Sequence, residues 1–253
     1  MQLNYKTKLF GRHVIYLSQI NSTNHFAKTN INSLTDGDVI FTNNQTKGYG
    51  TKNHIWHNFK NKQLAISIVL KNITKTFLQH STQFTAISLI KSLEKLQIQH
   101  ATIKWFNDIL ISNKKIAGIL GESQIKGSQI NLIIGIGINL LQNELEFKKF
   151  NLNFAGSIFS QTQKIIPPKL MLSTLIHTFD ELYFSSFNNT AKITQIYQKH
   201  CKIFNKTITV FNLKHTHSFE CTAIKLMQNG NLLVKSKQKL LQINPEQFSI
   251  QLN

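Results

Sequence analysis

Cysteine, proline and acidic side chains are scarce in this chain of 253 residues: two Cys, three Pro, and 11 Asp plus Glu against 29 Lys plus Arg. Cys201 and Cys221 form no C-x-x-C pair, and so few thiols exclude a disulfide-stapled scaffold and suit a reducing compartment, with cytoplasm as the expected location. Cys201, His215, His217 and Cys221 do not match the ligand spacing of zinc fingers, so unrelated strand residues are the favoured reading of that set. Long apolar runs are also missing. The longest, "LIIGIGINLL" at 132–141, is about half a membrane span, and "MQLNYKTKLF" at the start lacks a continuous apolar core, so neither a transmembrane helix nor a signal peptide is expected. No run of five or six basic residues occurs, so a dedicated nucleic-acid face is not expected. The net charge of +18 instead suits acidic partners such as nucleotides or acidic proteins.

What is present is enough apolar material, 41% of the residues, for one good-sized domain with a proper core plus a small one. "INSTNHFAK" offers Ser22, Thr23 and Asn24 as caps for a helix to about Ile31. "DVIFTNNQ" (38–45) and "QLAISIVL" (63–70) read as buried strands, separated by a long polar loop with Gly48, Gly50 and Trp56. A loop that long in a compact domain usually has a function. Residues 81–97 show helical spacing. Three apolar stretches, 101–112, 116–125 and 129–141, follow with connections so short that they join antiparallel neighbours. After Pro167-Pro168 a clear amphipathic helix begins, and a shorter one is expected over 189–199. From about 203 the texture changes to five short strands, with Asn229-Gly230 as a hairpin signal. The expectation is an α+β fold: a mixed, largely antiparallel central sheet flanked by helices (1–202) and a small C-terminal β-barrel (203–253).

"IKWFNDILISNKKIAGILGE", residues 103–122, sets Lys104, Asn107, Asp108, Lys115 and Glu122 among buried-looking apolar residues. Read from the residues alone, several positions here and in the other polar stretches have two readings. Lys115 is a cation at a strand mouth or a solvated turn lysine like Lys114. Gly118 is a point of close ligand approach or a simple bulge. Asn107 and Asn139 suit an adenine edge or close turns. Ser22 and Thr23 are helix caps or ligand contacts. Asp108 is a magnesium ligand or a carboxylate that positions its strand. The Gly-x-Gly of "IIGIGIN" lacks the third glycine of a dinucleotide fingerprint.

Five blocks taken in order, Ser22-Thr23-Asn24, Gln45 with Gly48-Tyr49-Gly50-Thr51, Lys104-Trp105-Phe106-Asn107-Asp108, Lys115 through Leu120, and Gly135 through Asn139, resemble the signatures of the biotin protein ligases. The resemblance spans essentially the whole chain. It implies a class II synthetase-like (biotin/lipoate ligase-like) catalytic fold with an SH3-like terminal barrel. The implied activity is an ATP-dependent ligase that makes biotinyl-adenylate and transfers biotin to a lysine of the biotin carboxyl carrier protein of acetyl-CoA carboxylase or a similar enzyme. Lys115 matches the catalytic lysine. Ser22, Thr23, Asn24, Gln45, Gly48, Tyr49, Gly50, Thr51 and Gly118 match the biotin contacts. Trp56, Lys104, Asn107, Asp108 and Asn139 match the ATP site, with Asp108 as the candidate ligand for Mg²⁺. The first block begins at Ser22, so the form without a DNA-binding domain is expected, and an exposed edge of the central sheet could support a homodimer.

The departures are local. Where the family has Gly-Arg-Gly-Arg, Tyr49 and Thr51 stand in place of arginines, so the loop loses bidentate contacts to phosphate, for which Lys52 and His54 are only point-charge substitutes. That predicts an active ligase with weaker ATP affinity or a leaky intermediate. Phe106 replaces the family's proline, a change of strand geometry rather than chemistry. Two other functions compete on the sequence: a lipoate or octanoate protein ligase of related fold, and a non-catalytic basic binding module.

Overall fold

The computed structural model describes residues 7–186, 189–212 and 217–252; His215 lies outside them. The chain runs β1 (Val14–Tyr16), α1 (Thr23–Thr29), β2 (Val39–Thr42), a small hairpin of β3 (Gly48–Tyr49) and β4 (Ile55–Trp56), β5 (Gln63–Leu70), then α2 (Lys75–Lys95). It continues through β6 (Thr102–Lys104), β7 (Asp108–Ile111), β8 (Lys114–Lys126), β9 (Gln129–Asn139), α3 (Glu144–Lys148), α4 (Ile158–Thr162), α5 (Pro168–Ser186) and α6 (Thr190–His200). The last part holds β10 (Thr207–Asn212), β11 (Ser218–Leu226), β12 (Leu232–Ser236), β13 (Lys239–Ile243) and β14 (Phe248–Leu252).

Seven strands form the central sheet in the order β1-β2-β5-β9-β8-β7-β6. β1 and β2 are parallel, and the other neighbours are antiparallel. The expected mixed, largely antiparallel sheet is therefore what forms. Two of its links are two residues long, and in one of them, Ser112-Asn113 between β7 and β8, both residues have positive φ, 50° and 62°, as a two-residue hairpin with right-handed strand twist requires.

Strand alternation divides the apolar residues between two faces. Ile40, Val69 and Ile133 pack with Ala27 of α1 and with Leu34. Val39, Phe41, Ile66, Ile68, Leu132 and Ile134 join the large core under α2 and α5. Asp180 of α5 ties the start of the described chain to this core: its carboxylate accepts the backbone N–H groups of Lys8, Leu9 and Phe10 at 2.8–2.9 Å. Among the described residues, no helix is long and apolar enough to cross a membrane.

Three expectations need correction. The helix read from residue 81 begins at Lys75, because Thr74 caps it by accepting the Phe77 N–H at 3.1 Å, and the polar first turn hid that start. The stretch 101–112 is two strands rather than one. The chain reverses at Trp105-Phe106, whose peptide bond is cis, so that Lys104 pairs with Asp108. The C-terminal strands are all present, but they form an open antiparallel sheet, β13-β12-β11-β10-β14, rather than a closed barrel. Its edge strands β13 and β14 each pair on one side only.

Candidate functional site

The sheet face beneath α1 is paved with glycine where β8 meets β9. Gly118 pairs with Gly137, and Leu120 with Gly135. A Cβ added at Gly137 would lie 2.6 Å from Cε2 of Trp56, and one at Gly118 would lie 3.3 Å from its Cζ3. The indole therefore lies against the two glycines, an approach that a side chain at position 137 would prevent and one at position 118 would crowd. The Trp56 Nε1 is buried with no hydrogen-bond partner among the described residues.

A cavity opens beside this floor. It is lined by Ser22, Thr23 and Asn24 from the start of α1, by Gln45 and the Tyr49–Trp56 hairpin, and by Asn107, Lys115 and Gly118 from the far side. Ser22 is the N-cap of α1, its Oγ accepting the His25 N–H at 3.3 Å. Both readings of that residue thus hold in one place: it caps the helix and faces the cavity. Gln45 Oε1 accepts from the Thr23 backbone N–H at 2.9 Å and from the Thr23 hydroxyl at 3.2 Å. That fixes the amide so that Nε2 is the end left to donate. Gly48 lies beneath the loop, paired with Trp56, where a Cβ would meet Gln45 Nε2 at 2.6 Å.

Lys115 reaches this cavity because β8 is irregular. The register against β7 slips by one residue between Ile109 and Leu110, so Lys115 pairs with Leu110 while Ala117 pairs with Ile109. In a regular strand, residues three apart point to opposite faces. The extra residue, Ile116, puts Lys115 and Gly118 on the same face, as bulges beside functional sites often do. The Lys115 Nζ then lies 2.7 Å from Asp108 Oδ1 and 5.7 Å from the centroid of the Trp56 ring, within cation–π range. Its backbone is held from the other side, where Lys115 N–H donates to Phe154 O at 2.7 Å and its carbonyl accepts the Gly156 N–H at 2.9 Å.

Not every sequence candidate lines the cavity. Lys104 ends β6, half-buried, and Asp108 stands behind Lys115 as its ion-pair partner. Asn139 is buried with both ends of its amide used, Nδ2 donating to Gly156 O at 2.9 Å and Oδ1 accepting from Gln142 at 3.1 Å. Asn107 donates Nδ2 to Ile119 O at 2.8 Å and lines the cavity. Cys201 and Cys221 lie elsewhere, and burial pushes their thiols up to about 12 and about 11, so both stay protonated at neutral pH.

Two residues to which the sequence reading gave no role, Glu122 and Ser67, sit just behind the wall. Glu122 on β8 accepts from Lys28 Nζ and Asn24 Nδ2, each at 2.8 Å, and from the Tyr49 hydroxyl at 3.0 Å. Ser67 donates to Asn24 Oδ1 at 2.6 Å. Burial alone would raise the Glu122 carboxyl, but its three donors outweigh that and hold it below the usual carboxylate range. Burial, then the charge on Glu122, pushes the Tyr49 phenol up, so it stays protonated and able to donate. A signal existed for both: Ser67 interrupts an apolar run within β5, and Glu122 is one of only 11 acidic residues in the chain.

A family model described as the biotin/lipoate A/B protein ligase family matches residues 16–139, the segment that supplies every wall of this cavity. Residues 16–139 are a biotin/lipoate A/B protein ligase domain. The relatives of this ligase domain agree. The bifunctional ligase/repressor BirA of Bacillus subtilis is 28% identical over 186 residues, 72% of this chain and 57% of that protein. Biotin–protein ligase 1, chloroplastic, of Arabidopsis thaliana is 27% identical over 140 residues, 53% of this chain and 38% of that protein. The chain thus spans 57% and 38% of the lengths of these two curated relatives. Among solved structures, the biotin protein ligase from Aquifex aeolicus in complex with biotin and ATP superposes with a TM-score of 0.77 at 22% identity, covering 96% of this chain and 100% of that one. The ligase fold therefore extends beyond the matched domain, through the C-terminal sheet.

Proposed function

We propose that this chain is an ATP-dependent biotin protein ligase that forms biotinyl-5′-AMP and transfers the biotinyl group to one lysine of a biotin carboxyl carrier domain. The observation that carries the reading is the bulge at Ile116, which turns the Lys115 ammonium over Gly118 and into a cavity whose opposite wall is neutral and polar. In the first step a biotin carboxylate oxygen bonds to the α-phosphorus of ATP while the bond to the bridging oxygen breaks, and pyrophosphate leaves with the electron pair. In the second, the amine of the carrier lysine attacks the acyl carbon, AMP leaves, and the new amide forms with loss of a proton.

Both steps gather negative charge on oxygens, so a fixed cation and preorganised donors are the main requirements. Lys115 is that cation on this reading, held in place by Asp108. Ser22, Thr23 and Gln45 offer donors and acceptors to a neutral ureido ring. The Gly48–Thr51 backbone wraps the phosphates, Trp56 presents an apolar plane to the base, and Asn107 one hydrogen-bonding edge. Lys104 and Asn139 act from behind the wall, Asn139 by fixing the segment at Gly156 that holds the Lys115 backbone. Among the described residues no group of three or more His, Cys, Asp or Glu could hold a metal ion, and Asp108 is committed to Lys115. The described residues therefore build no such metal cage, and no step is assigned to a protein-bound magnesium ion.

The catalytic part on this reading is residues 1–202, with 203–253 as the small β domain. The net charge of +18 suits an acidic carrier domain. From Leu120 to Lys126, β8 pairs with β9 alone, an edge on which a second copy could add a strand. Mass spectrometry of a carrier domain after incubation with the protein, ATP, magnesium and biotin tests the activity. A single added biotinyl group is expected. An unmodified carrier, or preferential attachment of lipoate in direct competition, would overturn the assignment.

A further inference from the structure

We propose that Glu122 is a positioning residue that holds the β3–β4 hairpin against the ligand cavity through the Tyr49 hydroxyl and sets the Asn24 amide in the opposite wall. This deepens the ligase reading and rests on it. Glu122 itself does not line the cavity, yet it bonds two residues that do, Asn24 at 2.8 Å and Tyr49 at 3.0 Å. The Asn24 amide is therefore held at both ends by the protein. Its Nδ2 is spent on Glu122 and its Oδ1 on Ser67, and it fits only because position 135 is glycine, where a Cβ would lie 2.5 Å from that oxygen. Asn24 serves as fixed wall beside Ser22, Thr23 and Gln45.

The hairpin needs such an anchor. Its two strands share only the pairs Gly48↔Trp56 and Tyr49↔Ile55, and its tip, Lys52 and Asn53, runs through positive φ at 59° and 58°. Two residues per strand cannot hold such a ribbon in place. Tyr49 and Trp56 pin it to the sheet, and of these the phenol–carboxylate bond is the charge-assisted one. Tyr49 occupies an arginine position of the family motif, so the carboxylate receives a neutral donor there, and Lys28 supplies the compensating cation at 2.8 Å.

The test uses Y49F, E122Q and the double variant in the full chain, with two readouts. Amide hydrogen exchange across residues 46–54 in the ligand-free protein is expected to quicken by about tenfold in each single variant, and no further in the double. In biotin- and ATP-dependent pyrophosphate exchange, the biotin KM is expected to rise about tenfold in each, with kcat falling by less than KM rises, and Y49R is expected to restore the KM through a new ion pair. Y49F removes a single oxygen from a part-exposed residue, so it keeps the fold even if E122Q weakens it. Wild-type loop exchange in Y49F, or effects of Y49F and E122Q that multiply in the double variant, would overturn the proposal. A wild-type protein with no biotin-dependent exchange would instead remove the ligase reading and leave the loop measurement to decide on Glu122.

Discussion

Lys115 and Asp108 meet across β7 and β8 at 2.7 Å, and they meet only because Asp108 pairs directly with Gly118, the glycine over which the lysine folds. The carboxylate holds the ammonium aimed along the glycine floor. A bound acyl phosphate would compete for the same cation.

Replacing Lys115 with alanine should lower biotin-adenylate formation by roughly 10²–10³-fold, the scale of losing one preorganised charge donor. Because the side chain is part-exposed, the thermal unfolding midpoint should hardly move. Pyrophosphate exchange together with a melting curve separates the two effects, and retained exchange in K115A would remove Lys115 from the chemistry.

The glycine floor gives a graded steric prediction. G137A puts a carbon 2.6 Å from a Trp56 ring atom, whereas G118A meets the same ring at 3.3 Å and the end of a flexible lysine at 3.2 Å. G137A should therefore displace the indole, red-shift tryptophan fluorescence and weaken nucleotide binding, with G118A milder in both. Equal effects of the two would show that Trp56 does not rest on this floor in solution.

Acid should loosen the Glu122 cluster. Its carboxyl is held below the usual range in the folded chain, so its contribution is fully present above the unfolded carboxylate value and is lost as pH falls through the folded one. From about pH 5 downward, wild-type stability should fall more steeply than that of E122Q, which has no such carboxyl to protonate. Thermal unfolding of both proteins across that window measures the difference, and parallel curves would contradict the assigned shift.

The Asp180 carboxylate accepts the backbone N–H groups of Lys8, Leu9 and Phe10, the last of these bonds buried and the other two partly so. D180A leaves those donors unmet and frees Phe10, which stacks edge-on against Phe179 at 4.8 Å. A loss of about 2–4 kcal/mol is expected, read by denaturant unfolding, with steady-state ligase kinetics changed little because the site lies on the other face of the sheet.

The loop without its two arginines should hold an adenylate weakly. Incubation with biotin, ATP and unrelated lysine-rich proteins is expected to label them, and a Y49R/T51R double substitution should restrict labelling to the carrier. Carrier-only labelling by the natural sequence, at ordinary ATP affinity, would show that Lys52 and His54 replace the lost contacts. The chain contains a single arginine, Arg12, which is exposed and outside the cavity, so no guanidinium reaches the phosphates from elsewhere in this chain.

Local chemistry was enough for the sequence to determine the strands at 63–70 and 129–139, the proline-led helix at 168, the five terminal strands, and the blocks that gather at the cavity, because periodicity, caps and turn residues act over a few positions. It could not show that Glu122 joins Asn24 and Tyr49, since those partners are 98 and 73 residues away. Nor could it open the terminal barrel, because closure depends on how the edge strands meet in space. Lys115 was legible as a motif. Its aim was decided only by the tertiary structure: one extra residue against β7 reverses the alternation of side chains, and that reversal turns a strand-end lysine from solvent to the site.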